Sequence, residues 1–140
     1  MATLILTTAQ RRKINGFQNR CLRKIVGVLP SYVSRVSNAI VLARAAHTPA
    51  TDLLRKKRLQ LFGKILRVDA QHPLKRACFI PGTFVPVTEQ YVGRVGRPSK
   101  EWVREVLQDT ISLFGSMQSA SASAQNKLSW NGMLTEKLGF

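Results

Sequence analysis

The sequence predicts a mainly α protein: a small helical domain of about four helices with an irregular middle loop region and a flexible Ser/Ala linker near the C-terminus. Three observations lead to this fold class. Apolar residues recur at the spacing of one helix face over long stretches. Residues that cap or end helices stand at the borders of those stretches. The chain has 140 residues, of which 44% are hydrophobic, and this is enough for a modest core.

The first predicted helix begins at Thr7 or Thr8, because a hydroxyl there can accept a hydrogen bond from an amide of the first turn. Gly27 and Pro30 are expected to end it. Its apolar residues follow helical spacing and are expected to face the core. They are Ile14, Phe17, Cys21 and Ile25, with Leu22 beside them.

A second, short helix is expected after a loop at residues 31–37, with Ser34 or Ser37 as its cap and its end at about Ala46. A third helix is expected from Pro49 to about Val68, since a capping Thr48 precedes a proline at the first helical position.

Gly63 lies inside the third predicted helix, where it costs about 1 kcal/mol relative to alanine. A close crossing with another helix would explain why a glycine stands there.

The remainder of the chain is less regular. Pro73 is expected to begin a short helix through Cys78, and residues 79–87 fit either a short strand or an extended arm. A fourth helix is expected to start at Pro98 or Ser99 and to end at Gly115. The predicted segments are a basic three-helix part (1–68), a connector with a Gly-Arg-Pro turn (69–98), an amphipathic helix (99–115), a Ser/Ala linker (116–126) and a short helical end (127–140).

Positive charge is the strongest functional signal in the sequence. The chain carries 22 Lys and Arg against 7 Asp and Glu, a net charge of +15. Residues 1–67 hold 14 of the basic residues and one acidic residue, Asp52, a net charge of +13. A field of one sign over half a chain favours a polyanionic partner, and nucleic acid is the usual one. No apolar run approaches the length of a membrane span, so no membrane partner is expected.

The nucleic-acid-binding residues are predicted from helix geometry. Arg20 and Lys24 lie four positions apart on a face beside the apolar stripe, and Arg23 lies three from Arg20. On the third helix Arg58 lies on the apolar side, so its guanidinium is expected to reach solvent from the edge of the core. The full predicted set is Arg20, Arg23, Lys24, Arg55, Lys56, Arg58, Arg67 and Arg97.

Arg97 belongs to a Gly-Arg-Pro tripeptide that fits two roles, a turn that starts a helix and an extended arm for a narrow minor groove. We predict no catalytic residue, metal or cofactor. Two cysteines and two histidines are scattered singly, and whether they meet in space is open; they are Cys21, His47, His72 and Cys78.

Three passages of the chain resemble the region downstream of the polymerase core in LINE-type (non-LTR) retrotransposon reverse transcriptases. Residues 17–27, FQNRCLRKIVG, are similar to a thumb-region helix of that family. Residues 36–42 and 58–67, the latter RLQLFGKILR, are similar to its "v-tN…vl…RlrwfGHvlR" stretch, except that Lys64 stands where the family usually has histidine. Residues 96–102, GRPSKEW, are similar to its "GRPrkrW" signature, and the whole resemblance covers roughly residues 11–135.

The resemblance implies a nucleic-acid-binding C-terminal fragment of an RNA-directed DNA polymerase, without the fingers and palm. No pair of adjacent aspartates occurs in the chain, and metal-dependent polymerases need paired carboxylates, so we expect no enzymatic activity from this chain itself. RNA, DNA and a hybrid all remain possible partners.

The alternative is a free-standing basic nucleic-acid-binding protein, organellar or ribosome-associated. An intracellular setting in the cytoplasm or nucleus is expected from the cysteine usage, and the basic N-terminal region also fits a mitochondrial transit peptide. A reading frame just upstream that encodes paired aspartates would favour the retrotransposon interpretation.

Overall fold

The computed structural model describes residues 5–91 and 101–139. The mainly α prediction is confirmed, although these residues form eight α-helices rather than about four. The helices are α1 (Thr8–Val26), α2 (Ser31–Ser34), α3 (Asn38–Arg44), α4 (Ala50–Arg67), α5 (Pro73–Cys78), α6 (Trp102–Phe114), α7 (Met117–Ala124) and α8 (Lys127–Leu138).

The ends of α1 follow from its local sequence. The Thr7 hydroxyl accepts a hydrogen bond from the Gln10 amide at 3.3 Å, and the Thr7 amide donates to the Gln10 side chain at 2.8 Å. Each side chain thus accepts from a backbone N–H that the helix itself leaves without a partner. Gly27 closes the helix in the left-handed conformation, with φ at +70°. Both predicted ends of this helix are confirmed.

The chain divides into two compact units, and the boundary falls within α4. The first unit is Leu6–Arg55 and the second includes Lys56–Gly139. In the first unit, α1 packs against α3 and is also joined to the start of α4 by polar side chains. Asn15 donates to the Thr51 hydroxyl at 3.0 Å, and Gln18 donates to the Thr48 carbonyl at 2.8 Å.

The inward face of α1 differs from the predicted one. Phe17 and Ile25, expected in the core, are 63% and 78% exposed. Leu22 is buried as expected, and the other buried residues of this helix are Asn19 and Arg23. The predicted stripe is therefore wrong at Phe17 and Ile25, because the polar contacts of Asn15 and Gln18 hold an adjacent side of the helix against the start of α4.

The core of the second unit is built around Trp130 of α8 and Phe62 of α4, both fully buried. The indole Nε1 of Trp130 donates to the carbonyl of Leu59 at 2.9 Å. Other buried apolar residues complete this core, and they are Leu59, Ile65, Leu66, Phe79, Val106, Met117, Ala120, Ala124 and Leu134. The close helix approach expected at Gly63 is confirmed, since the ring of Trp130 lies against this glycine.

The predicted Ser/Ala linker at residues 116–126 is wrong, because most of it forms α7. The Ser116 hydroxyl caps this helix by accepting from the Ser119 amide at 3.2 Å. Three small or flexible side chains at helical spacing, Met117, Ala120 and Ala124, are buried in the core of the second unit. Alanine has the highest helix propensity, so this composition suits a short packed helix as well as a linker.

The middle region is confirmed as irregular. The short helix predicted from Pro73 to Cys78 is present as α5. The following stretch forms one isolated antiparallel bridge between Phe79 and Pro86, then a 3₁₀ turn at Val87–Gln90. The Gly-Arg-Pro turn and the predicted helix start at Pro98 or Ser99 lie outside the described residues.

Candidate nucleic-acid interface

Three exposed cations lie on one side of α1, and we call them the cationic face of α1: Lys13, Arg20 and Lys24. Their spacing of seven and four positions places them within about 40° of one another around the helix axis. Phe17 lies among them and is 63% exposed. No side-chain hydrogen bond or ion pair joins the three cations to another described residue, so their charges are available to a ligand.

The surroundings of this face are almost free of negative charge. The unit Leu6–Arg55 contains nine Lys and Arg residues and one acidic residue, Asp52. Opposite charges close to a cation would neutralise its attraction for a phosphate. The first unit therefore presents a positive field that its own side chains leave largely uncompensated.

Arg23 does not belong to this face. It was predicted to bind nucleic acid from a position off the core, but it is only 7% exposed. Its guanidinium donates to the carbonyls of Leu29 at 2.9 Å and Val36 at 2.6 Å, and to the side chain of Asn38 at 3.0 Å. A further, longer bond of 3.4 Å reaches the Ser34 hydroxyl. These bonds tie together the chain that connects α1 to α3, so Arg23 has a structural role.

An open groove lies where α1 ends and α2 begins. It has a volume of about 550 Å³ and is mostly apolar. Two members of its lining are highly exposed, Tyr32 at 84% and Leu29 at 61%. Two cations of the α1 face also line it, and the full set is Arg20, Arg23, Lys24, Gly27, Val28, Leu29, Pro30 and Tyr32.

The basic residues predicted on α4 are engaged within the protein. Lys56 donates to the Thr135 hydroxyl at 3.0 Å, and Arg67 donates to the Ala124 carbonyl at 3.0 Å. Both side chains are half-buried, as is Arg55. These three residues are therefore less accessible to a ligand than the cations of α1.

Arg58 is buried, with 3% of its surface exposed. Its placement on the apolar side of α4 is confirmed, but the guanidinium does not reach solvent. It forms an ion pair with Glu105 of α6 at 3.6 Å. Arg97 lies outside the described residues.

Sequence reasoning missed Lys13, Phe17 and Tyr32 as members of a surface. Lys13 shares a helix face with Arg20 and Lys24 by spacing alone, and this could have been read from the sequence. Phe17 was assigned to the core because an aromatic residue at helical spacing usually packs there. Tyr32 lay in a stretch expected to be a loop, where exposure is usual, but nothing in the sequence indicated that it would share a groove with Arg20 and Lys24.

No cluster of three or more His, Cys, Asp or Glu side chains suited to a metal ion occurs among the described residues. Cys21 and Cys78 are both free thiols. Partial burial raises the pKa of the Cys78 thiol above its ordinary value, because desolvation disfavours the thiolate. Within the same part of the chain, no helix is long and apolar enough to cross a membrane.

Comparison with protein-family models, with curated proteins and with solved structures found no match to this chain. The resemblance to LINE-type reverse transcriptases thus stays a prediction from the quoted residues.

Proposed function

We propose that this chain is a nucleic-acid-binding segment of the kind that follows the polymerase core in LINE-type reverse transcriptases, and that it binds the phosphate backbone through the cationic face of α1. The observation that carries the proposal is the alignment of Lys13, Arg20 and Lys24 on one exposed side of a capped helix. The passage that resembles the family's thumb helix, residues 17–27, includes two of these three cations.

The dimensions of the face suit a phosphate backbone. Lys13 and Lys24 are eleven residues apart, which is about 16 Å along a helix at ~1.5 Å per residue. One strand of a duplex carries a phosphate about every 3.4 Å of axis, so this length passes about five phosphates. Backbone contacts of this kind fix a protein on nucleic acid without reading its sequence. We therefore expect an affinity that comes mainly from electrostatic attraction and depends little on base sequence.

The test is a comparison of two triple variants with equal loss of charge. Lys13, Arg20 and Lys24 are changed to alanine in one, and the exposed Lys64, Arg76 and Lys127 of the second unit are changed to alanine in the other. Binding of a fluorescent oligonucleotide is measured by anisotropy over a series of salt concentrations. Circular dichroism checks that helix content is unchanged, as expected for exposed helical positions replaced by alanine.

The α1 variant should bind far more weakly, and its log–log salt slope should be shallower by about 2 to 3, since each lost phosphate contact removes ~0.7 to 0.9. The affinity and the salt slope of the control variant should differ less from those of the unaltered protein. Equal losses from the two variants would show that charge acts diffusely, and a salt-independent affinity of the unaltered protein would overturn the proposal.

A further inference from the structure

The groove between the end of α1 and α2 combines an open aromatic ring with cations. Tyr32 is 84% exposed, and Arg20 and Lys24 line the same groove. An apolar lining of this kind does not serve phosphate binding, for which charge alone is sufficient. It does suit a flat, apolar face such as that of a nucleobase, which stacks on aromatic side chains.

The backbone that carries Tyr32 is held in place on both sides. Arg23 binds the Leu29 carbonyl three positions before it and the Ser34 hydroxyl two positions after it. The Ser34 hydroxyl also donates to the Leu29 carbonyl at 3.0 Å, which closes the short segment on itself. The ring is therefore presented from a preorganised support, so that little ordering of the backbone is needed when a ligand stacks on it.

The positive charges beside the groove favour apolar ligands that also carry a negative charge. The unit that contains Arg20 and Lys24, Leu6–Arg55, has a single acidic residue, Asp52. A ligand that fits must present an apolar flat group next to a negative charge, and a nucleotide does so with its base and phosphate. The volume of about 550 Å³ lies within the range of pockets that hold small molecules or single nucleotide-sized groups.

We propose that this groove binds an unpaired nucleotide of a single-stranded nucleic acid, with the base stacked on Tyr32 and the neighbouring phosphates held by Arg20 and Lys24. This inference rests on the proposed function, because it uses two cations of the same face. It adds a ligand class: a base inside a duplex is already stacked on its neighbours, so only unpaired nucleotides offer a free face. The protein then prefers single strands, unpaired overhangs or gaps over continuous duplex.

The test uses Tyr32→Leu, which removes the ring and retains an apolar side chain, and Tyr32→Phe, which retains the ring. Tyr91→Leu is the matched control, since Tyr91 is also highly exposed, at 71%, and lies in the other unit. Each protein is titrated with a 12-nucleotide oligothymidylate, a 12-base-pair duplex and a 12-unit abasic oligomer that retains the phosphates.

Tyr32→Leu should weaken binding of the oligothymidylate by roughly 5- to 150-fold, the usual range for loss of one stacked base. Tyr32→Phe should bind like the unaltered protein, and so should Tyr91→Leu. Affinity for the duplex and the abasic oligomer should not change in any variant, and the salt slope should stay the same because the cations are retained.

The outcomes separate this inference from the proposed function. If the unaltered protein binds all three probes with a steep salt dependence but Tyr32→Leu changes nothing, the function stands and the stacking site is overturned. If Tyr32→Leu weakens all three probes equally, Tyr32 supports the fold or the cations rather than a base. Competition by polyglutamate as effective as that by the oligothymidylate would indicate an acidic protein partner and overturn the inference. Absence of binding to every probe would overturn both proposals.

Discussion

The indole ring of Trp130 lies directly against the backbone of Gly63. A Cβ placed on Gly63 would lie 2.7 Å from the Cδ1 and Cε2 atoms of the ring, closer than such atoms approach in proteins. The same ring donates its N–H to the Leu59 carbonyl, one helical turn before Gly63. A buried tryptophan needs a hydrogen-bond partner for this group. The glycine therefore lets α8 approach α4 closely enough for the indole to reach that carbonyl.

Gly63→Ala should lower the free energy of unfolding by about 2 kcal/mol, because overpacking of a buried site outweighs the ~1 kcal/mol gain in helix propensity. Gly132→Ala on α8 is the control, since a Cβ there meets nothing within 4 Å and should stabilise the helix. Thermal unfolding followed by circular dichroism compares the two. Equal stability of the two variants would show that the indole has room to move away.

Arg23→Ala should lower the free energy of unfolding by about 3 kcal/mol, because several carbonyl and side-chain acceptors lose a charged donor. The loss should be accompanied by faster amide hydrogen exchange at residues 29–38, which these bonds connect. Arg20→Ala on the same helix is the control and should change stability little, since its side chain is exposed. If Arg23→Ala and Arg20→Ala have equal free energies of unfolding, the structural role assigned to Arg23 is wrong.

Glu105→Gln should lower the free energy of unfolding by about 2 kcal/mol, because it removes a carboxylate that forms an ion pair with the buried Arg58 guanidinium. The double change Arg58→Met with Glu105→Met should be closer to the unaltered protein, since the buried guanidinium and its carboxylate partner are then both replaced by apolar side chains. Glu136→Gln, at an exposed position of α8, is the control. Chemical denaturation gives the free energies of unfolding of the unaltered protein and the three variants. A double variant less stable than Glu105→Gln would contradict the argument.

Ala120→Leu should lower the free energy of unfolding by about 1 to 3 kcal/mol, because Ala120 is fully buried and its helix α7 packs into the core. Ala122→Leu makes the same change at an exposed position of α7 and should be nearly neutral. Urea unfolding compares them. If residues 116–126 were a linker, both variants would be equally stable.

The sequence was most informative where structure depends on neighbouring residues. The capped start of α1 at Thr7, its end at Gly27 and the helix from Pro73 to Cys78 were all predicted, because hydrogen bonds and backbone conformations at helix ends involve residues a few positions apart. The excess of positive charge in the first half is likewise a property of composition, and it favours a polyanionic partner.

The sequence by itself thus determined a mainly helical chain, several of its helix ends and its strongly basic N-terminal half. Only the tertiary structure decided which side of α1 is buried, because that depends on where Thr48 and Thr51 lie to meet Gln18 and Asn15. The tertiary structure also decided that Arg23 is buried, because its acceptors come from separate parts of the connecting segment. It decided likewise that α7 is a packed helix, because its alanines are buried against residues of other helices. Burial is a relation between distant segments, and the periodicity of one helix does not specify its partners.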